Sequence, residues 1–294
     1  MRWRHGIGFA GICIWQASAW LLPSASQEPA LLVRQGVAWA ILAVVAGAAL
    51  ALGRSGGAVK ISLEAVGPLV AVGLLVFAVP AVLVSQASDY ASDTNVTLVF
   101  AFAPAVVVLA WSVVGGAGQA MRMLVPALIG AAGVLFVLPV ESPVSIRGWE
   151  ALAETVVAMV ATSCGSVWLF TAVRGLDGRF VIAIAGAGNA IVLLGWCVAH
   201  RGLSWAGWNS LSLLSVGMTA VVFAVVVWLI RLMKPVRLGA RFLVVPLVTL
   251  IEGMALIRPE FTGRLVAGVA LLATGAAWLL LAPEVVDNEV LSLR

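Results

Sequence analysis

The chain has 294 residues, 63% of them hydrophobic and only 10% charged, with a mean hydropathy of +1.12. Soluble domains keep apolar residues near half and charged ones near a quarter, and disordered chains are polar, so both classes are excluded. The net charge of +4 does not indicate nucleic acid, because the basic residues form no cluster.

A spanning helix needs about 20 mostly apolar residues. Apolar runs bounded by charges or Gly/Pro/Ser clusters predict ten spans: Gly6 to Pro23, Leu31 to Leu52, Ala65 to Ser85, Val96 to Val114, Met121 to Val140, Ala151 to Val173, Phe180 to Ala199, Leu211 to Ile230, Leu238 to Ile257 and Leu265 to Ala282. Continuous apolar runs argue against a membrane barrel, whose strands alternate in polarity. The fold expected is an all-α integral membrane protein.

Orientation follows from Lys and Arg in alternate loops. With the N-terminus inside, Arg2, Arg4, Arg54, Lys60, Arg122, Arg174, Arg179, Arg231, Lys234, Arg237, Arg241 and Arg294 are cytoplasmic. Arg34, Arg147, Arg201, Arg258 and Arg264 lie outside, with Asp89 and Asp93. Both termini are therefore expected in the cytoplasm, in a multi-pass protein of the cell membrane. The opening Met-Arg-Trp-Arg-His also suits a signal peptide, with Ser24-Ala25-Ser26 as a cutting site. Trp15, Gln16 and Trp20 inside the run favour an uncleaved first helix.

A shift of 142 residues places Pro104 on Pro246, Arg122 on Arg264 and Gly133 on Gly275 without a gap. Segments four and five then correspond to nine and ten, so the chain divides into two five-helix halves, 1–140 and 149–283, followed by a cytoplasmic tail, 284–294. An odd number of helices per half inverts the second relative to the first.

The motifs for chemistry are sparse. Gly6-Ile7-Gly8-Phe9-Ala10-Gly11 has dinucleotide-loop spacing but no preceding strand, so small-residue helix packing is expected. Cys13, Cys164 and Cys197 lie in apolar runs without metal-ligand spacing. No nucleotide, hydrolase or metalloprotease signature occurs, and neither enzyme activity nor a metal or cofactor is expected. Asn95-Val96-Thr97 has a glycosylation sequon, but its place at a helix entrance favours packing or capping.

Polar residues within spans are the alternative source of function. Phe9, Cys13, Gln16 and Trp20 are spaced to share a face of helix one. Thr155, Thr162 and Ser166 form a stripe on helix six, and Ser212, Ser215 and Thr219 one on helix eight. Pro80, Pro104, Pro126 and Pro246 interrupt helices, and Pro80, Pro104 and Pro246 are candidate hinges. Glu252 is the acid placed deepest in a span, with Thr249 on its face. It is expected either to bind a cationic substrate group or a coupling proton, or to be a hydrogen-bonded structural acid. The cavity candidates are Trp15, Gln16, Trp20, Gln86, Thr97, Thr162, Ser166, Ser215, Thr219, Thr249 and Glu252. One acid among tryptophans suits an amphipathic or cationic solute.

Ile14-Trp15 in helix one, Arg34 opening helix two and the run from Tyr90 to Pro104 resemble the drug/metabolite transporter superfamily, EamA type. So do Pro246, Glu260, Gly268 and Gly275 in the second half. Gly116 and Gly118 stand where a helix-end glutamate is common in the family. The resemblance implies ten helices in two inverted repeats, a central cavity between helices one, three, four, six, eight and nine, and export or exchange of small metabolites, amino acids or drugs. The expected partners are the lipid bilayer, a small solute and a coupling proton. The competing expectation is a non-transporting helical scaffold or subunit.

Overall fold

The computed structural model describes residues 3–18, 28–53, 63–115, 121–201, 213–257 and 262–282. Trp20, Ser212, the Ser24 to Ser26 segment and the tail 284–294 lie outside them.

The described residues contain helices and no strand. In chain order the helical rods are α1 (Trp3–Ala17), α2 (Glu28–Leu52), α3 (Val66–Ala87), α4 (Asp93–Gly115), α5 (Leu124–Val137), α6 (Ile146–Ala172), α7 (Gly178–Arg201), α8 (Leu213–Leu232), α9 (Pro235–Leu256) and α10 (Gly263–Leu281). Eight of them are long and apolar enough to cross a membrane; α1 has 15 residues and α5 has 14. Val44, Ile191, Leu214 and Val221 are each more than half exposed. Such side chains are satisfied when lipid covers the bundle. The chain is an all-α, multi-pass membrane protein.

Two boundaries differ instructively from the hydropathy scan. Helix α6 begins at Ile146 rather than Ala151, because Ser145 caps it by accepting the Gly148 N–H at 3.0 Å. Arg147, Glu150 and Glu154 therefore lie on a helix. Helix α9 begins at Pro235 rather than Leu238, and Arg241, counted from the sequence with the cytoplasmic residues, is buried within the rod. Arg34 likewise stands within α2, six residues after its start at Glu28, rather than opening it.

The principal packing pairs are α2 with α7, α5 with α10, α3 with α6, α1 with α8, α4 with α6, α1 with α9, α3 with α7, α2 with α8, α4 with α5, α9 with α10, and α4 with α9. Replacing every helix by the one five places along the chain returns the same set. The tightest approaches obey this exchange residue by residue. A Cβ built on Gly133 would meet the Leu272 backbone nitrogen, and would lie 2.7 Å from the Gly268 carbonyl oxygen. A Cβ on Gly275 would lie 2.5 Å from the Gly130 nitrogen and 2.6 Å from the Pro126 carbonyl oxygen. Adding 142 to the first half of each contact, and subtracting it from the second, converts one set into the other.

The α2–α7 pair repeats this at a shift of 150. A Cβ on Gly36 would be 3.4 Å from Leu193 Cβ, and one on Gly186 would be 3.4 Å from Ala43 Cβ. Backbones come this close only where the side chain is a hydrogen, the means by which membrane helices gain dispersion contacts.

The two ends of the bundle differ in charge. At one end Arg179 donates to the Ala49 carbonyl at 3.3 Å, Arg231 to Leu176 at 2.6 Å and Arg237 to Ala282 at 2.7 Å, each closing the end of a helix or the chain just beyond it. The other end carries Asp89, Asp93, Glu141, Glu150 and Glu154, with Arg147 and Arg264. In the Gly6 to Gly11 run, Gly8 packs on Trp228, where a Cβ would meet the ring at 3.0 Å, whereas a Cβ on Gly11 would meet nothing within 4 Å. Ser92 caps α4 through the Asn95 N–H at 3.3 Å, and Asn95 Nδ2 donates to the Glu141 carbonyl at 3.0 Å. The sequon thus has the packing and capping role expected.

Asp177 caps α7. Its carboxylate accepts the Arg179 N–H at 2.8 Å and the Arg179 side chain at 3.1 Å. That side-chain bond, first, and the backbone bond hold its carboxyl below the usual range. A lowered folded-state pKa means stabilisation above the unfolded value of about 4, lost as pH falls through the folded value. Asp177→Ala is expected to cost about 1 kcal/mol at pH 7. Thermal unfolding in detergent should show that gap shrink as the pH is lowered from about 4 through the folded-state value.

Candidate functional site

Proline chemistry places the breaks. Pro80 cannot donate to the Val76 carbonyl, and α3 breaks at the next residue, Phe77, whose backbone leaves helical geometry at φ −122°, ψ −59°. Pro104 cannot donate to the Phe100 carbonyl, and α4 breaks at Ala101 and Phe102. In α9 the break falls at Ala240, and Pro246 lies within the second segment, Arg241–Leu256. All three candidate hinges therefore lie in interrupted rods. Pro126 instead sits in the first turn of α5.

The interrupted rods α4 and α9 cross. A Cβ on Gly239, one residue before the α9 break, would lie 3.6 Å from Pro104 Cα and 3.5 Å from Val107. The Phe100 and Phe242 rings, one beside each break, are 5.6 Å apart. From α6, the buried Ser163 donates to the Ala103 carbonyl at 3.4 Å, meeting part of the hydrogen-bonding demand around the α4 interruption.

At the acidic end, the end of α3, the start of α6 and the end of α7 enclose a cavity of about 400 Å³. Ser85, Gln86, Asp89, Tyr90, Arg147, Glu150, Glu154, Trp196 and His200 line it. Arg147 donates to the Tyr90 hydroxyl at 2.7 Å and lies 5.5 Å from its ring centre, while Trp196 and His200 stack at 3.6 Å. Three acids against one arginine make the mouth negative. A second cavity, about 460 Å³ and mainly apolar, lies beside it between α4, α5 and α6, among Leu98, Phe102, Leu135, Trp149 and Met159.

Glu252 lies at the α1–α9 junction. Ser18, just beyond α1, donates to its carboxylate at 2.6 Å. Thr249 donates to the Ala17 carbonyl at 3.4 Å and to its own helix at Val245, 3.1 Å. The acid is half-buried, four residues before the end of α9. The structure thus brings Glu252 and Thr249 together and adds Ser18 to them.

The remaining candidates are dispersed. Thr97 donates to the Asp93 carbonyl, Ser166 to Thr162 and Thr219 to Ser215, at 2.6–2.8 Å; these hydroxyls turn back onto their own helices. Thr162 and Ser166 are buried on α6. Gln86 lines the acidic cavity. Trp15 and Gln16 are exposed, whereas Phe9 and Cys13 are buried. The helix-one face expected from spacing therefore splits before Gln16, and the packed face continues through Ala17. Cys13 is a buried free thiol and Cys164 a half-buried one, and Cys197 is buried. Among the described residues no group of three His, Cys, Asp or Glu is placed to hold a metal.

Three interior polar residues escaped sequence reasoning. Asn189 on α7 is fully buried, its amide nitrogen donating to Ala185 at 2.8 Å while Oδ1 has no partner among the described residues. Ser85 is 4% exposed, with its hydroxyl also unpartnered there. Arg241 is only 7% exposed, with its guanidinium 4.7 Å from the centre of the Phe242 ring. The signal for Arg241 was available: a charge three residues inside the expected span Leu238 to Ile257, with no other charge before Glu252.

No family model and no curated protein matches the chain. Sixteen chains of solved structure do. One of them, described only as the crystal structure of a protein, superposes with a TM-score of 0.70 at 18% identity, covering 94% of this chain and 96% of its own. That likeness extends to the fold of nearly the whole chain.

Proposed function

We propose that the protein is a secondary transporter with ten spans, built as two inverted five-helix repeats and moving a small metabolite, amino acid or amphipathic compound across the cell membrane. The observation that carries this reading is the exchange of packing contacts between the halves, down to paired glycines at shifts of 142 and 150 residues. With five helices in each half, such an exchange reverses direction across the membrane, and its axis lies in the membrane plane. Transporters of this construction alternate access by trading the conformations of their halves about a midplane site. The crossing of α4 and α9 sets the discontinuities of two rods side by side, as discontinuous helices are at the midplane sites of such transporters. The order of motifs that resembles EamA-type drug/metabolite transporters supports the same reading. Both termini belong in the cytoplasm, since the arginine-rich end then faces inward.

Purified protein in liposomes should give saturable flux of at least one solute in a radiolabelled panel of amino acids, aromatic acids and amines. Its absence across the panel points to a helical scaffold or subunit. Reporter fusions after Arg294 and between Asp89 and Asp93 should report opposite sides of the membrane. The same side for both removes the inverted repeat.

A further inference from the structure

The transport reading leaves one buried charge unexplained. Arg241 opens the 16-residue second segment of α9 and is 7% exposed. Among the described residues it makes no ion pair and no hydrogen bond. Its guanidinium lies over the Phe242 ring, 4.7 Å from the ring centre. A guanidinium taken out of water is costly unless a countercharge and acceptors replace its hydration. In a membrane bundle such a group marks a ligand path or finds a partner.

No carboxylate among the described residues is paired with the arginine, which stands two residues after Gly239, where α9 meets Pro104 and Val107 of α4.

We infer that Arg241 binds the carboxylate of the transported solute, with its aromatic or apolar body against Phe100 and Phe242. The planar fork of arginine matches a carboxylate through two parallel hydrogen bonds. The adjacent rings provide an apolar surface. This inference rests on the transporter reading and replaces the cationic solute expected from Glu252 with an organic anion.

The test is binding to the purified full-length protein by equilibrium dialysis, with radiolabelled phenylacetate and phenethylamine as probes of matched size and opposite charge. Phenylacetate should bind saturably and phenethylamine at least tenfold more weakly. Arg241→Met, which removes charge but keeps much of the bulk, should lower phenylacetate affinity at least tenfold while remaining monodisperse. If that variant does not fold, Arg241→Lys takes its place: it keeps the charge, loses the fork and should still weaken binding severalfold. Preference for phenethylamine, absence of phenylacetate binding, or undiminished binding by the variants overturns the proposal. Binding without flux in liposomes would keep the anion site and remove the transporter. Flux of other solutes without phenylacetate binding would do the reverse.

Discussion

Gly133→Ala and Gly275→Ala are each expected to destabilise the protein severely and by similar amounts. The added methyl would meet backbone atoms of the partner helix: Leu272 and Gly268 in one case, Gly130 and Pro126 in the other. A side chain can rotate out of the way, but a helix backbone cannot. Relief requires α5 and α10 to separate along their contact, which costs about 3 kcal/mol or more, the upper part of the range for overpacked sites. Gly195 and Gly217 are suitable controls, since a Cβ at either meets nothing within 4 Å. Their alanine variants should be as stable as the parent or better, because alanine favours a helix by about 1 kcal/mol. Thermal unfolding of the four variants in one detergent decides the matter. Equal losses at Gly133 and Gly275 support the exchange between halves; a large loss at one and none at the other contradicts it.

Glu252→Gln is the second substitution expected to have a large effect. Ser18 donates to the carboxylate at 2.6 Å, and glutamine retains an oxygen able to accept that bond while removing the charge. The variant should insert, purify and unfold like the parent, yet carry solute in liposomes at about a tenth of its rate or less, as expected for an ionisable group on a transport path. Glu252→Ala removes the acceptor as well and should lower stability by about 1–3 kcal/mol. Normal flux through Glu252→Gln together with poor stability of Glu252→Ala would make the acid a tie between α1 and α9 and nothing more.

The class of fold was legible because a membrane imposes one rule on every span: enough apolar length to cross, with backbone groups bonded internally. Pro80 and Pro104 were equally legible, since a missing N–H frees one known carbonyl and α3 and α4 break beside it. The site was less so. A hydropathy scan left Arg147 and Glu150 on the approach to helix six, and the charge count put Arg241 on the cytoplasmic side although it lies within the expected span Leu238 to Ile257. The acidic cavity joins the ends of α3, α6 and α7, which lie far apart along the chain. Ser18 meets Glu252 across 234 residues, a distance that local periodicity does not span. The match between Gly36 and Gly186 was hidden for another reason. Its shift is 150 rather than 142, so no ungapped comparison registers both ends of the halves together.

The pairing of α2 with α7 and of α5 with α10 has a consequence for how the protein is made. Each pair joins one of the first five helices to one of the last five, so the first five cannot make these close contacts by themselves. A ribosome adds roughly 5–20 residues per second, so α5 is complete about seven to thirty seconds before α10 is made. Throughout that interval the glycine face of α5 is open to lipid or to any passing helix with a small-residue groove. Separately translated halves should recover a native bundle only when present together, and shortage of the second would leave the first open to capture by quality-control proteases.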